Sequence, residues 1–131
     1  MDVVTDASAI VAVITDEDRR MALIRSSEGV DLIAPSSVHW EIGNALSAML
    51  KRNRATMDQI MKAIVAYEQI PIRFVDVELD ESLIIANRLG LYAYDAFIVR
   101  CAIKYRSPLL TLDRGLMHAA KQLHVEMVEV N

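Results

Sequence analysis

Residues 3–10 read VVTDASAI: a β-branched run stops at Asp6 and passes directly into apolar residues. Val and Thr favour a pleated strand, and Ala9, Ile10, Val13 and Ile14 recur at helical spacing. The stretch therefore predicts a strand over residues 3–5, a carboxylate at its carboxyl end, and a helix beginning at once.

The same alternation continues outward. Asp16, Glu17 and Asp18 read as the acidic first turn of a second helix reaching about Ser26, and Glu28-Gly29 as a turn. Residues 31–34 predict a second strand, stopped by Pro35. Ser36 and Ser37 offer N-caps for a helix to about Asn53, with Val38, Ile42, Ala45, Leu46 and Met49 as its apolar stripe. A helix over residues 57–69 carries Ile60, Met61, Ile64 and Val65. Residues 73–75 predict a third strand, and Asp80 can cap a helix that Gly90 closes. Tyr94, Phe97, Ile98, Cys101, Ala102 and Tyr105 mark another helix. Pro108 introduces a strand over 109–112, a short helix runs from Gly115 to about Leu123, and residues 126–130 predict a last strand. Strands separated by helices require βαβ crossovers, hence a mostly parallel sheet with helices on both faces.

The composition agrees with one folded unit over residues 1–131: 53% of the residues are hydrophobic and 24% charged. The longest apolar run, residues 9–14, is too short to cross a bilayer, and Asp2 and Asp6 stand where a secretory signal needs basic residues. Cys101 is the only cysteine. On an apolar helical pattern it reads as a small buried hydrophobe, which fits a reducing cytoplasm.

Parallel topology gives the acids a meaning. Asp6 and Asp113 each follow a strand, so both belong at the carboxyl edge of the sheet. Glu41 lies early in the helix after the second strand, and Asp95 opens the helix that feeds residues 109–112. Both helices have their N-termini at that same edge. The helix over residues 79–90 must then cross sideways. Ligands of such sheets bind at this edge, where the strand order reverses. Each acid also has an ordinary role open to it: an N-cap for Asp6, a dipole-favoured first turn for Asp95, a solvated helix face for Glu41, a turn before Gly115 for Asp113. Gathered together, four carboxylates repel, and a divalent cation relieves the repulsion. Oxygen-only ligands suit Mg²⁺ or Mn²⁺, whereas zinc calls for His or Cys. His39, His118 and His124 have no paired ligand spacing and read as structural or exposed. The net charge of −4 argues against a polyanionic partner, but setting these four aside makes acids and bases equal in number.

Four motifs in this order, VVTDASAI, WEIGNAL, LYAYDAFIVRCA and LLTLDRGL, resemble the PIN domain, and the chain is similar in length and order to stand-alone PIN proteins of the VapC toxin type. The resemblance covers essentially the whole chain. It implies a three-layer α/β/α fold and an Mg²⁺- or Mn²⁺-dependent endoribonuclease of a toxin–antitoxin pair. Asp6, Glu41, Asp95 and Asp113 match the family's four acidic positions. Ser8, Thr111 and Asn44 match its polar accessory positions. Ser8 and Thr111 can orient a metal-bound water or a carboxylate, or simply cap backbone. RNA also needs cations for its phosphates. Candidates are Lys51, Arg52 and Arg54, then Arg100, Lys104 and Arg106, then Arg114, though solvated surface charge is the ordinary role of each. The resemblance further implies a small antitoxin over the acidic rim and a homodimer, the latter consistent with helices rich in Met, Ile and Ala. Two other readings use the same acids: an Mg²⁺-dependent phospho-acceptor signalling domain, which usually needs a lysine at a late strand end that residues 109–113 lack, and a catalytically idle PIN-like binding module, against which the intact acids argue.

Overall fold

In the computed structural model, which describes residues 1–15 and 18–130, helices and parallel strands alternate along the chain. The order is β1 (Asp2–Thr5), α1 (Ala7–Ile14), α2 (Arg20–Ser26), β2 (Asp31–Pro35), α3 (Ser37–Lys51), α4 (Met57–Glu68), β3 (Ile72–Val75), α5 (Leu79–Leu89), α6 (Ala93–Lys104), β4 (Leu109–Leu110) and α7 (Arg114–Gln122). The strands lie in the order β3-β2-β1-β4, all neighbours parallel. The chain therefore steps outward from β1 through β2 to β3, then returns to the other side of β1. The reversal falls between β1 and β4, and that is where a ligand crevice opens.

Strand pleat divides the core into two layers. Successive residues point to opposite faces. Val4 and Leu109 accordingly join the larger cluster with Ile33, Val38, Ile42, Ile98 and Leu116, while Val3 and Leu110 join Ala9, Ala12 and Leu23 on the other face. This is the expected α/β/α sandwich. Cys101 is fully buried, and burial pushes its thiol up to about 12, so it behaves as the small hydrophobe its pattern suggests.

Several local expectations are corrected. Asp16 and Glu17 lie outside the described residues, and the second helix begins at Arg20. Ser36 precedes α3 in helical geometry, φ −58° and ψ −24°, and makes no side-chain cap bond; an N-cap needs extended backbone. Glu78, not Asp80, occupies the N-cap of α5, and the Asp80 carboxylate accepts the Glu81 N–H from within the first turn. Gly90 does close α5, with the positive φ of 67° that glycine tolerates. The α5 and α6 axes turn by 112° between them, which supplies the expected sideways crossing. On α4, Ile60 and Ala63 are buried, whereas Met61 and Val65 are exposed with Met57 as a separate stripe.

The carboxyl-terminal strands are shorter than expected. β4 stops at Leu110 because the next N–H groups bond elsewhere: Leu112 donates to Ser8 Oγ and Asp113 to Thr111 Oγ1. Residues 126–130 form no strand of their own. Leu109 donates to the Glu126 carbonyl and accepts from the Val128 N–H, a single parallel bridge around Met127. A two-residue strand offers a neighbour no longer ladder.

Ile42 anchors α3, and so Glu41, to the larger core with 2% of its surface exposed. Ile42→Ala is expected to cost about 2–5 kcal/mol in urea unfolding with an unchanged m value. A loss below about 0.5 kcal/mol would show that this residue does not seat the helix.

Candidate active site

Thr5 ends β1 and its neighbour Asp6 is the N-cap of α1, accepting the Ala9 N–H at 3.2 Å. The same carboxylate is gripped by two hydroxyls. Ser8 Oγ lies 2.8 Å and 2.9 Å from its two oxygens, and Thr111 Oγ1 donates at 2.6 Å. Ser8 Oγ and Thr111 Oγ1 are 3.3 Å apart. Each hydroxyl also accepts a backbone N–H from the segment after β4, at 3.0 Å in both cases. The ends of β1 and β4 are thus tied together through one buried carboxylate. The two roles proposed for Ser8 and Thr111, orienting a carboxylate and satisfying backbone, are performed at once.

The other three acids converge on this point. Asp113 is the N-cap of α7 and accepts the Leu116 N–H at 2.9 Å. It is exposed, because its strand has already ended. Asp95 sits in the first turn of α6 and Glu41 in the second turn of α3. The electrostatics join them: Glu41 feels Asp95, Asp6 and Asp113, and both Asp95 and Asp6 feel Asp113.

Charge and burial act in the same direction here. Burial first, then repulsion from Asp95, Asp6 and Asp113, pushes the Glu41 carboxyl up to about 7. Burial, then Asp113, raises Asp95. Burial also raises Asp6, against the opposing bonds from Thr111, Ser8 and Ala9. Glu41 Oε1 is buried without a hydrogen-bond partner. An orphaned carboxylate oxygen near three further acids, with no basic side chain paired to any of them among the described residues, has the chemistry of a cation site. The donor set is oxygen only, which fits a hard divalent ion. Among the described residues, however, no three Asp, Glu, His or Cys side chains are drawn in to coordination range.

The supporting residues divide. Arg114 opens α7 beside Asp113 and is exposed. Asn44 is exposed one turn beyond Glu41 and gives the quartet no hydrogen bond among the described residues. Arg100 and Lys104 are not free for phosphates: Glu78 takes Arg100 Nε at 2.9 Å and Lys104 Nζ at 3.3 Å. Arg100 holds the Glu78 carboxyl down at about 2. His39 bonds Tyr67 through Nδ1, and His118 and His124 are exposed, so the histidines are outside the acidic cluster, as their spacing indicates.

A parallel α/β/α sheet with a carboxylate cluster at its switch point defines a class of acid-lined, oxygen-ligand domains. The PIN domain family model matches residues 3–122, and the chain belongs to that family. No curated protein matches the sequence. Among solved structures it is similar to PAE2754 from Pyrobaculum aerophilum, 25% identical over 91% of this chain and 87% of that one, with a TM-score of 0.66. It is also similar to VapC20 of Mycobacterium tuberculosis, described as a sarcin-ricin loop cleaving toxin, at 15% identity over 89% and 94% of the two chains and a TM-score of 0.64. VapBC2 from Rickettsia felis, solved bound to a DNA fragment from its promoter, aligns over 98% of both chains at 16% identity and a TM-score of 0.63. At these last two identities the likeness is one of fold.

The raised Glu41 value carries a sign. Between 4.5, its unfolded value, and about 7 the folded chain holds a proton that the unfolded chain has released. Stability from this group therefore falls as pH rises through that window, and the loss is complete above it. Glu41→Gln is expected to stabilise the protein in EDTA at pH 8 by about 1–2 kcal/mol, a value reduced for partial solvent screening, and to have little effect at pH 4.5. Thermal melts at the two pH values measure it. Equal melting of the two proteins at pH 8 would mean that Glu41 bears no such strain.

Proposed function

We propose that this chain is a metal-dependent endoribonuclease, the toxin of a VapC-type toxin–antitoxin pair acting in the cytoplasm. The observation that carries the reading is the convergence of Asp6, Glu41, Asp95 and Asp113 at the β1/β4 switch point of a PIN fold, with Glu41 Oε1 left unpartnered. These four carboxylates are the residues to hold Mg²⁺ or Mn²⁺. Such an ion supplies an activated water and charge stabilisation at the phosphoryl group.

The chain's own groups do the rest. Ser8 and Thr111 fix the direction of the Asp6 carboxylate, so little of its freedom remains to be lost on binding an ion. Asp113 is held by its cap bond to Leu116, and Gly115 lies against it, with any added Cβ only 3.2 Å from Asp113 Oδ1. Arg114 is the exposed cation nearest the quartet in sequence and is the residue to meet a phosphate. The phospho-acceptor alternative fits less well, because Arg114 rather than lysine follows the β4 segment.

Two partners belong to this reading. The exposed Met57, Met61 and Val65 stripe of α4 suits an isologous homodimer. A cavity of about 490 Å³ between α1, α3 and α4, whose lining mixes Ile14, Met49 and Ile60 with Arg20, Arg54 and Lys62, suits a helix of the antitoxin that is apolar on one side and acidic on the other. A Lys or Arg beyond that helix can enter the pocket and pair with the carboxylates in the ion's place.

Asp6→Asn and Asp95→Asn should each reduce Mn²⁺-dependent RNA cleavage at least about 100-fold and weaken Mn²⁺ binding by calorimetry; Asp95→Asn should keep its stability, whereas Asp6→Asn should lose some of it, because Asn offers one acceptor oxygen where Ser8, Thr111 and Ala9 use two. Cleavage in EDTA, or unchanged Mn²⁺ affinity in both variants, would remove the metal-nuclease reading. If a basic antitoxin side chain takes the ion's place, Mn²⁺ should weaken the toxin–antitoxin complex in proportion to site occupancy. An affinity indifferent to Mn²⁺ would mean that the antitoxin acts only by covering the RNA path.

A further inference from the structure

The carboxyl edge of the sheet holds a second feature besides the acids. A cavity of about 180 Å³ lies where β2 and β3 end, at Pro35 and Val75, which are register partners in the parallel pair. Its apolar walls are Val75, Val77, Leu79 and Phe97. Ser37 adds a hydroxyl, and Asp76 is the one charged residue in the lining among the described residues. The quartet stands at the β1/β4 switch of the same edge, two strand spacings or roughly 10 Å away.

The helices link the two places. Ser37 and Glu41 are four residues apart on α3, so they share a helix face one turn apart. The helix α6, which packs against α3, gives Asp95 to the crevice. Two residues on, and therefore on a different side of the helix, it gives Phe97 to the cavity. The cavity flanks the crevice along the rim.

The wall over residues 76–79 is held in place. The Asp76 carbonyl accepts from Lys104 Nζ at 3.1 Å and from the Tyr105 hydroxyl at 2.9 Å. The Glu78 carboxylate takes Arg100 Nε and Lys104 Nζ, and the Glu78 carbonyl accepts from Ser82 Oγ at 2.6 Å. A wall fixed in this way loses little freedom when a ligand meets it. The Ser37 hydroxyl differs: it is buried without a hydrogen-bond partner among the described residues. No bond holds its rotamer, so it can turn about χ1 toward a ligand, and a ligand that bonds it removes the cost of leaving it unmet.

The lining selects the chemistry of that ligand. It includes no basic residue among the described ones, and Asp76 is exposed beside it, so a phosphate is repelled. Phosphate contacts fall instead to Arg114, exposed beside Asp113 on the β4 side of the rim. The cavity is small for a peptide helix and takes a single planar ring system. Apolar walls suit the faces of such a ring. A hydroxyl, which both donates and accepts, suits an edge carrying both kinds of group. A nucleobase combines the two.

We propose that this cavity receives one unpaired base of the RNA, beside the phosphate presented to the quartet, and that Ser37 selects that base. The proposal rests on the nuclease reading above for its substrate.

Cleavage of a randomised single-stranded RNA, read by sequencing the ends, should show one base enriched at one position beside the cut. Ser37→Ala should lower that enrichment about tenfold and should melt no lower than the unaltered protein, since no bond is lost. Leu79→Asp, at a side chain 63% exposed, should lower the enrichment too. A second measurement needs no catalysis. Adenosine, guanosine, cytidine and uridine are added in turn to the unaltered protein in EDTA. One of them should shift the amide resonances of Ser37, Val77 and Phe97 more than the others do, and more than ribose 5-phosphate does. Equal shifts from ribose 5-phosphate, no shift from any nucleoside, or an enrichment that both variants leave unchanged would overturn the proposal. So would a Leu79→Asp protein that changes its oligomeric state while keeping the enrichment, which would assign the cavity to a protein contact. Absence of cleavage by the unaltered protein, with the nucleoside shifts retained, would instead remove the nuclease reading and leave base binding standing.

Discussion

The buried carboxylate of Asp6 is the constraint on which the rest of the structure depends. It lies at the topological switch, 7% exposed, and it performs two tasks at once. It caps α1 through Ala9 and it accepts from Ser8 and Thr111, side chains 103 residues apart in sequence. Those hydroxyls in turn take the N–H groups of Leu112 and Asp113, which would otherwise have continued β4. The end of the strand, the start of the helix and the orientation of the carboxylate are thus one hydrogen-bonded unit. A buried carboxylate costs several kcal/mol when unpaired, and this unit is what offsets that cost.

The remaining acids have no comparable support. Glu41 and Asp95 arrive on helices whose opposite faces are held by Ile42, Leu46, Ile98 and Val99 in the core. Packing brings the carboxylates together whether or not their charges agree. The consequence is a region whose electrostatics oppose folding while the hydrophobic layer beneath enforces it. Strain of this kind, localised and surrounded by conventional packing, is the mark of a site kept for binding rather than for stability.

Much of this was legible in the sequence, and the parts that were not share a cause. Alternating strand and helix patterns, with a carboxylate directly after residues 3–5 and again after the run ending at Leu112, place all four acids at one edge by topology alone. Gly90 marks a helix end because only its αL conformation is needed there. What sequence could not supply was partnership across distance. Nothing local shows that Glu78 takes Arg100, 22 residues on, and so withdraws two cations from the surface. Nor does periodicity tell which of two adjacent apolar residues on α4 faces inward: Ile60 does and Met61 does not. The expected last strand failed for the same reason, since its length was set by β4, which hydroxyl bonds had already ended.

Under the proposed nuclease reading an acidic chain would meet a polyanion, and the arrangement of charge in this fold bears on that conflict. Four acids stand at the crevice, where a divalent ion would invert their effect, while Arg100 and Lys104 are paired with Glu78, Lys51 lies at the distal end of α3, and Arg114 is exposed beside Asp113. Long-range attraction of a polyanion to a chain of net charge −4 would be weak unless a bound cation offset the four crevice acids. Binding carried by many phosphate contacts falls steeply with salt, so the salt dependence of any nucleic-acid binding would measure how far such an ion and the exposed Arg114 replace a basic surface.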